Sequence, residues 1–266
     1  MKVILANILA IYRKELQSYF ASPFAYIIAA VFWLLAGFFF VGILLGPDGL
    51  IAQVAFRDQL GITDPPFDVP YQFLSIFLSV LGSLALFILP MLSMGLYTEE
   101  RKRGTLELLA TSPITNWVVA LGKLLGVLTF FTSMVLPLMV YEAIALGASD
   151  PPFQFTVLIV GHLGLILLAA AVLSIGMFIS SLTDSTILAA ILTFGFMLLL
   201  WVIDLVANGI GGVLGEALSH LSLIRHYTNL AQGILDTSSL ILLSSYVVLG
   251  LFLTAQSVEA LRFQRS

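Results

Sequence analysis

Long apolar stretches separated by short polar connections dominate the chain. A helix needs about 20 apolar residues to cross the hydrocarbon of a bilayer. Six stretches satisfy this requirement: 24–45, 73–97, 117–146, 155–182, 186–207 and 240–257. They predict an all-α, polytopic membrane protein with six transmembrane helices. Only Thr183, Asp184 and Ser185 separate the fourth stretch from the fifth, so a re-entrant pair, or a merger of the two under a different boundary, is an alternative. The charge pattern requires an even number of spans in either case.

The first 22 residues mix apolar and charged side chains. Arg13, Lys14 and Glu15 stand among isoleucines and leucines, a pattern that predicts an amphipathic helix lying on the membrane surface. An irregular leader is the alternative interpretation. A cleavable signal peptide would carry its charges before its apolar run, whereas these charges lie in the middle of the segment. We therefore expect the segment to be retained.

The composition favours the bilayer as the solvent of this chain. Apolar residues make up 60% of it and charged residues 10%, with a mean hydropathy of +1.08. Roughly a quarter of the residues of a soluble domain are charged, so these few charges cannot cover the surface of a water-soluble globule. Cysteine is absent, which excludes disulfides, thiolate metal sites and a cysteine nucleophile.

The positive residues predict the orientation, because cytoplasmic connections are enriched in lysine and arginine. With the N-terminus in the cytoplasm, nine of the 11 fall on that side: Lys2, Arg13, Lys14, Arg101, Lys102, Arg103, Lys123, Arg262 and Arg265. Only Arg57 and Arg225 then lie outside. An even number of spans returns the C-terminus to the cytoplasm, so we expect both termini there.

The outer connections differ in length and character. Residues 46–72 form a long acidic loop, and residues 147–154 form a short one. The third connection, 208–236, begins with glycines and then mixes polar side chains with leucines and isoleucines. This mixture predicts one or two amphipathic or re-entrant helices on the outer face. His220 and His226 lie there without the convergent ligands of a metal site, so we interpret them as interfacial polar residues.

One dense polar cluster, residues 98–113, lies on the predicted cytoplasmic side. Gly104 is expected to break the helix that leaves the membrane, residues 105–110 to form a short helix, and Pro113 to end it. A short helix between two bends can act as a lever against a soluble partner. The alternative is an ordinary polar loop whose positive charges anchor the orientation.

This cluster resembles a motif of one transporter family. The run YTEERKRGTLELLATSP (97–113), followed by Gly122 and Lys123, closely resembles the cytoplasmic motif of bacterial ABC exporter permeases of the type-2 (type V) class. SPFAY (22–26) resembles the family's entry to the first span, and residues 226–237 resemble the segment before its last span. The nearest subgroup is that of the gliding-motility and nitrous-oxide-reductase-maturation permeases.

The resemblance implies a single permease domain over 1–266, with a coupling helix in 98–116 that docks on an ATP-hydrolysing subunit. Carried over by position, the residues that bind this partner are Glu99, Arg101, Arg103, Gly104, Thr105, Leu106, Glu107, Leu108, Thr111 and Pro113, with Asp184 in a second, smaller contact. ATP and magnesium would bind that partner, and this chain would carry no cofactor. A second permease copy or a related permease, an envelope auxiliary protein and membrane lipids are the other expected partners; nucleic acid is not.

The chain itself shows no ATP-binding motif. A phosphate-binding loop follows the pattern G-x-x-x-x-G-K-[ST], and here Trp117 and Leu124 replace the first glycine and the final serine or threonine around Gly122-Lys123. We instead predict that Lys123 snorkels to the membrane interface. The pairs Gly122/Gly126 and Gly42/Gly46 permit close helix packing.

Three ionisable residues fall within or near the spans. Glu142, His162 and Asp204 all lie in the predicted outer leaflet, and intramembrane ionisable groups are functional candidates. At a helical rise of about 1.5 Å per residue, Glu142 and His162 both lie roughly 8–10 Å below the outer boundary. We predict that they pair across the third and fourth spans, as a structural or pathway-lining pair. Simple placement near the interface is the alternative.

Together these features predict the permease subunit of an ABC exporter in the bacterial inner membrane, which is not an enzyme in its own right. An ion-coupled secondary transporter would carry several ionisable residues near the midplane and repeat symmetry. An intramembrane protease would need a serine–histidine pair or two aspartates deep in the bilayer. The sequence shows neither arrangement.

Overall fold

The computed structural model of the protein describes residues 2–62, 64, 66–106, 114–149, 153–210 and 212–263. Within these ranges the regular structure is entirely helical, as the sequence predicts. The helices in chain order are α1 (Lys2–Ala21), α2 (Pro23–Leu45), α3 (Leu50–Gln59), α4 (Val69–Ser93), α5 (Gly95–Lys102), α6 (Asn116–Leu146), α7 (Phe155–Leu182), α8 (Thr186–Ile210), α9 (Gly212–Ser219), α10 (Leu223–Ala231) and α11 (Thr237–Phe263). Six described segments are long and apolar enough to cross a membrane, which confirms the predicted fold class.

The second span is longer than the predicted 73–97. It starts at Val69 because the Asp68 side chain caps the helix by accepting a hydrogen bond from the Tyr71 N–H at 3.0 Å. At the other end α4 passes into α5 through Met94, and α5 continues to Lys102. The first residues of the predicted cytoplasmic connection are therefore a helical extension of the span.

Helix α7 is the centre of the bundle. It contacts α4, α5, α6, α8, α10 and α11, and 78% of its most apolar stretch is buried, against 22% for α8. Small residues make these close approaches possible. A Cβ atom on Gly176 would overlap Ser93 of α4, and one on Gly250 of α11 would overlap Ser174. Both α7 and α8 have the length of full crossings, which argues against the re-entrant alternative.

The N-terminal segment forms the predicted helix, α1, rather than an irregular leader. It packs along α6, and Ile11, Leu16 and Tyr19 rest against the apolar core. The Tyr19 hydroxyl donates a 2.6 Å hydrogen bond to the Leu92 carbonyl of α4. Helix α1 is therefore attached to the bundle through two of the spans.

The two ends of the bundle carry different connections. The proximal face carries α1, the connection that begins at Arg103, the turn 183–185 and the last turns of α11; a 2.9 Å hydrogen bond joins Ser181 and Ser257 there. The distal face carries α3, the described ends of the connection between α6 and α7 (147–149 and 153–154), α9 and α10. Helices α9 and α10 correspond to the short helices predicted within 208–236, whereas α3 lies in a segment that the sequence indicated only as a loop.

Candidate functional site

The proximal end of the second span stops in a glycine-terminated turn. Gly104 has a φ of +68°, a left-handed conformation that glycine adopts without strain. The Gly104 N–H donates to the Arg101 carbonyl at 3.1 Å, and the Thr105 N–H donates to the Glu100 carbonyl at 2.9 Å. These two bonds form a Schellman motif. The predicted helix break at Gly104 is confirmed.

Besides Gly104, four of the predicted partner-binding residues lie exposed on the proximal face. The side chains of Glu99 and Arg103 are 58% and 73% exposed and form an ion pair of 3.3 Å one helical turn apart. Thr105 and Asp184 are also exposed. Together these four residues are called the proximal patch below. They present charges of both signs on a rigid helix end and on the neighbouring turn.

Two other predicted contact residues face their own chain. The Arg101 guanidinium donates a 2.7 Å hydrogen bond to the Ser181 carbonyl at the end of α7. Leu106 is 3% exposed and belongs to the apolar core. These intramolecular contacts were not implied by the resemblance. Glu107, Leu108, Thr111 and Pro113 lie outside the described residues.

The two proximal connections lie close together. A cavity of about 610 Å³ is lined by Arg103 and Thr105 from the first connection and by Thr186, directly after the second. The second turn is held by its own side chains, since the Thr183 hydroxyl accepts from the Ser185 N–H at 3.1 Å and the Ser185 hydroxyl from the Leu188 N–H at 3.3 Å. Arg101 joins the end of α5 to the end of α7, directly before the two connections, so both connections leave the bundle side by side.

A buried ion cluster lies directly behind this surface, and its centre is Lys123. The Lys123 Nζ atom donates to Glu15 Oε1 and to the Leu96 carbonyl, each at 2.8 Å, and to Glu100 Oε1 at 3.0 Å. It also lies 5.0 Å from the centre of the Tyr97 ring. Three acceptors match the three N–H groups of an ammonium. Lys123 is 2% exposed, so the prediction that it snorkels to the interface is wrong.

The charges of this cluster nearly balance. Two carboxylates surround Lys123, and Lys14 on the surface lies 3.8 Å from Glu100. Burial raises the pKa of the nearby Tyr19 far above its ordinary value, and the negative charges of Glu15 and Glu99 add to the effect. Tyr19 therefore stays protonated and keeps its hydrogen bond to α4. Sequence reasoning missed the cluster because its three ionic members come from α1, α5 and α6.

Gly122 and Gly126 of α6 form part of the surface on which α1 packs. A Cβ atom on Gly122 would lie 2.8 Å from the Ile11 side chain, and one on Gly126 would lie 2.7 Å from the Glu15 Cβ. The predicted close packing at this pair is confirmed, and the neighbour is α1. Gly42, by contrast, has no atom within 4 Å of its Cβ position among the described residues.

The distal half of the bundle holds the second polar feature. Glu142 Oε1 of α6 and His162 Nε2 of α7 lie 3.4 Å apart, with the two side chains 0% and 2% exposed. The two side chains thus meet across the third and fourth spans, as predicted. Their role as a structural or pathway-lining pair stays a prediction. The side chain of Asp204 lies outside the described part of the protein.

Helix α10 is fixed to the distal side of the bundle. The Tyr227 hydroxyl donates to the Leu78 carbonyl of α4. His226 is 4% exposed, and its ring nitrogens lie 2.9 Å from the Ser239 hydroxyl and 3.1 Å from the His220 carbonyl. Burial lowers the pKa of His226 below its ordinary value. His226 is therefore a buried connector, and its interpretation as an interfacial residue was wrong.

A comparison with models of protein families gives a match. Residues 54–253, about three quarters of the chain, match the family model described as ABC-2 family transporter protein. The matched region includes the proximal patch, the Lys123 side of the ion cluster and the Glu142–His162 pair, but not α1. No curated protein matches the chain.

Proposed function

The chain belongs to the ABC-2 family of transporter proteins, and on this premise we propose that it is the permease subunit of an ATP-driven exporter in the inner membrane of a bacterium. Family membership and the six spans make it a multi-pass membrane protein and the transmembrane component of an ABC transporter, not itself catalytic. Such a permease implies a partnering ABC ATPase. In our proposal that separate subunit binds ATP and Mg²⁺ and supplies the energy.

The proximal face is cytoplasmic in this proposal. The charges of α1 and the run Arg101, Lys102 and Arg103 lie at this face, whereas Arg57 of α3 and Arg225 of α10 lie at the distal face. The positive-inside rule favours this orientation. It places the proximal patch where a soluble ATPase can reach it.

The proximal patch is the proposed docking surface, together with the connection that follows Leu106. Its alternating charges suit a groove that also presents both signs, since electrostatic complementarity sets register and partner choice. The turn that carries Asp184 adds the second, smaller contact. Arg101 joins the two helix ends from which these connections leave, so a partner that binds both connections acts on two helices that are already linked.

Force applied to the patch has a short route into the membrane. Arg101 ties α5 to α7, and Glu100 ties α5 through Lys123 to α6 and, through Glu15, to α1. Closure of the ATPase subunits would therefore displace a connected set of helices rather than a loose loop. Such a displacement biases the transporter only if the ATPase binds the two states with different affinities.

A second copy of the chain, or a related permease, completes the transporter in this proposal. Helix α8 leaves large apolar side chains uncovered, among them Ile187, Ile191 and Leu205, which are 70%, 60% and 64% exposed. A partner permease and lipid would share this surface. The motifs at 22–26, 97–113 and 226–237 support the subgroup of gliding-motility and nitrous-oxide-reductase-maturation permeases, in which export or mechanical work with an envelope auxiliary protein is the output.

Affinity purification of the tagged full chain from its native membranes tests this proposal. We expect a phosphate-binding-loop ATPase to co-purify and the complex to hydrolyse ATP. The double variant Glu99→Arg with Arg103→Glu exchanges two charges of the patch. It preserves the intramolecular ion pair but inverts the sign of the charge that each position presents to the partner. We expect this exchange to lower the recovered ATPase activity about tenfold, because a loss of roughly 1.4 kcal/mol in binding free energy weakens the affinity tenfold.

The control is an exchange of opposite charges on the distal face, Arg57→Asp with Asp58→Arg, which removes the contact between Arg57 and the Phe67 ring but should leave the recovery unchanged. The proposal fails if no ATP-hydrolysing chain accompanies the wild-type protein. It also fails if the proximal and distal exchanges give the same recovery.

A further inference from the structure

The geometry of the buried pair Glu142 and His162 determines which ring nitrogen of His162 carries a hydrogen. His162 Nδ1 is 2.9 Å from the carbonyl oxygen of Leu158, one turn earlier in α7. A carbonyl oxygen only accepts hydrogen bonds, so Nδ1 carries a hydrogen. In a neutral imidazole the other ring nitrogen, Nε2, is then a bare acceptor.

That acceptor faces another acceptor. Nε2 lies 3.4 Å from Glu142 Oε1, and neither Nε2 nor either Glu142 oxygen has a hydrogen-bond partner within the described residues. An ionised carboxylate beside a neutral imidazole would place lone pairs opposite each other in a site closed to water, an arrangement that buried polar groups avoid. One additional proton resolves the conflict, either as a carboxylic acid donating to Nε2 or as an imidazolium paired with a carboxylate.

We propose that Glu142 and His162 form a binding site for a single proton, and that this proton fastens α6 to α7 in the distal half of the bundle. The proton is bound by Glu142 and His162 alone, because the neighbouring titratable hydroxyl already donates its own hydrogen elsewhere. Tyr227 of α10 is a further titratable group that lies close enough to respond to the charge of Glu142. Its hydroxyl hydrogen is already donated to the Leu78 carbonyl.

The proton count predicts a specific pH dependence. Once separated, a glutamate and a histidine titrate with pKa values of about 4.3 and about 6.5. Between these values the separated groups also hold one proton, so the pair contributes no slope. Above about pH 6.5 the folded pair holds one proton more than the separated groups. The folding equilibrium constant should therefore fall tenfold for each further pH unit.

The variant Glu142→Gln supplies the hydrogen without a titrating group. Its amide N–H can donate to His162 Nε2, so the folded variant needs no extra proton. Above about pH 6.5 the contribution of this site should then be flat. Other titrating groups, including His226, are common to both proteins and cancel when the two profiles are subtracted.

The test is the unfolding equilibrium of the purified full chain in detergent micelles between about pH 6.5 and two units above it. We expect the stability ratio of wild type to Glu142→Gln to fall about 100-fold across this range. Parallel profiles would overturn the proposal.

His162→Leu gives a second test, because Glu142 alone must then be protonated and the slope should begin near pH 4.3. A flat profile for that variant between about pH 4.3 and 6.5 would equally overturn it. Unfolding is measured rather than transport, so this inference stands apart from the proposed exporter role.

Discussion

Replacement of Lys123 by methionine should lower the free energy of unfolding by about 3 kcal/mol. The ammonium is 3% exposed and serves two carboxylates, Glu15 and Glu100, whose side chains are only 12% and 15% exposed. Methionine preserves most of the volume but leaves both carboxylates buried without their cation. The penalty of an uncompensated buried charge is about 3–5 kcal/mol, and the slight exposure of the carboxylates favours the lower end. Thermal unfolding of the purified chain in detergent measures it.

Two matched variants separate charge from packing at this cluster. Lys14→Met removes a cation that is 70% exposed and 3.8 Å from Glu100, so it should cost less than about 1 kcal/mol. The triple variant Lys123→Met, Glu15→Gln, Glu100→Gln removes every buried charge and should regain most of the loss. A Lys123→Met protein as stable as Lys14→Met would contradict the assignment of a buried ion cluster.

In the proposed exporter, replacement of Gly104 by valine should uncouple the permease from the ATPase while leaving the spans folded. No atom among the described residues lies within 4 Å of the Cβ position at Gly104, so valine meets no steric clash there. Its φ of +68°, however, costs a side-chain-bearing residue about 1–2 kcal/mol. The chain after Gly104 would leave its native path in a population larger by a factor of about 5–30. We expect ATP hydrolysis by the purified complex to fall, with this factor as the upper limit of the loss.

The control for this prediction keeps the position and changes the conformational preference. Asparagine tolerates the left-handed region better than other residues with a Cβ atom, so Gly104→Asn should retain most of the activity. Gly37 also has open space at its Cβ position but lies inside α2, and Gly37→Val should be close to neutral. Equal activities of Gly104→Val and Gly104→Asn would contradict a role for the backbone turn.

The apolar pattern predicts the spans well because the bilayer imposes a length on every crossing. Helices α6 and α7 start and end within one residue of the predicted stretches. The second span departs from its prediction because Asp68 caps it early and residues 98–102 continue the helix beyond its predicted end. Hydropathy cannot reveal such an extension, since polar residues in the same helix read as a connection. Helix α3 was not predicted, because its polar residues made the segment read as a loop.

The candidate sites show which inferences a sequence supports. Gly104 was predictable because a glycine after a charged helical run is a local stop signal. The meeting of Glu142 and His162 was predictable because the helical rise gives both residues a depth. The Lys123 cluster was not predictable in this way. Lys123 and Glu15 are 108 residues apart in the sequence. Their contact depends on the close packing of α1 against Gly122 and Gly126 of α6.

Site-specific cross-linking tests the central claim, that a separate ATPase drives this permease through its proximal face. The chain has no cysteine, so single-cysteine variants can be made directly: Thr105→Cys and Asp184→Cys on the proximal face, and Asp58→Cys on the distal face. Each is labelled with a thiol-reactive photo-cross-linker in native membranes, and the products are identified by mass spectrometry. We predict cross-links to a nucleotide-binding subunit from residues 105 and 184, and none from residue 58. Cross-links to that subunit from residue 58, or none from either proximal position, would contradict the account.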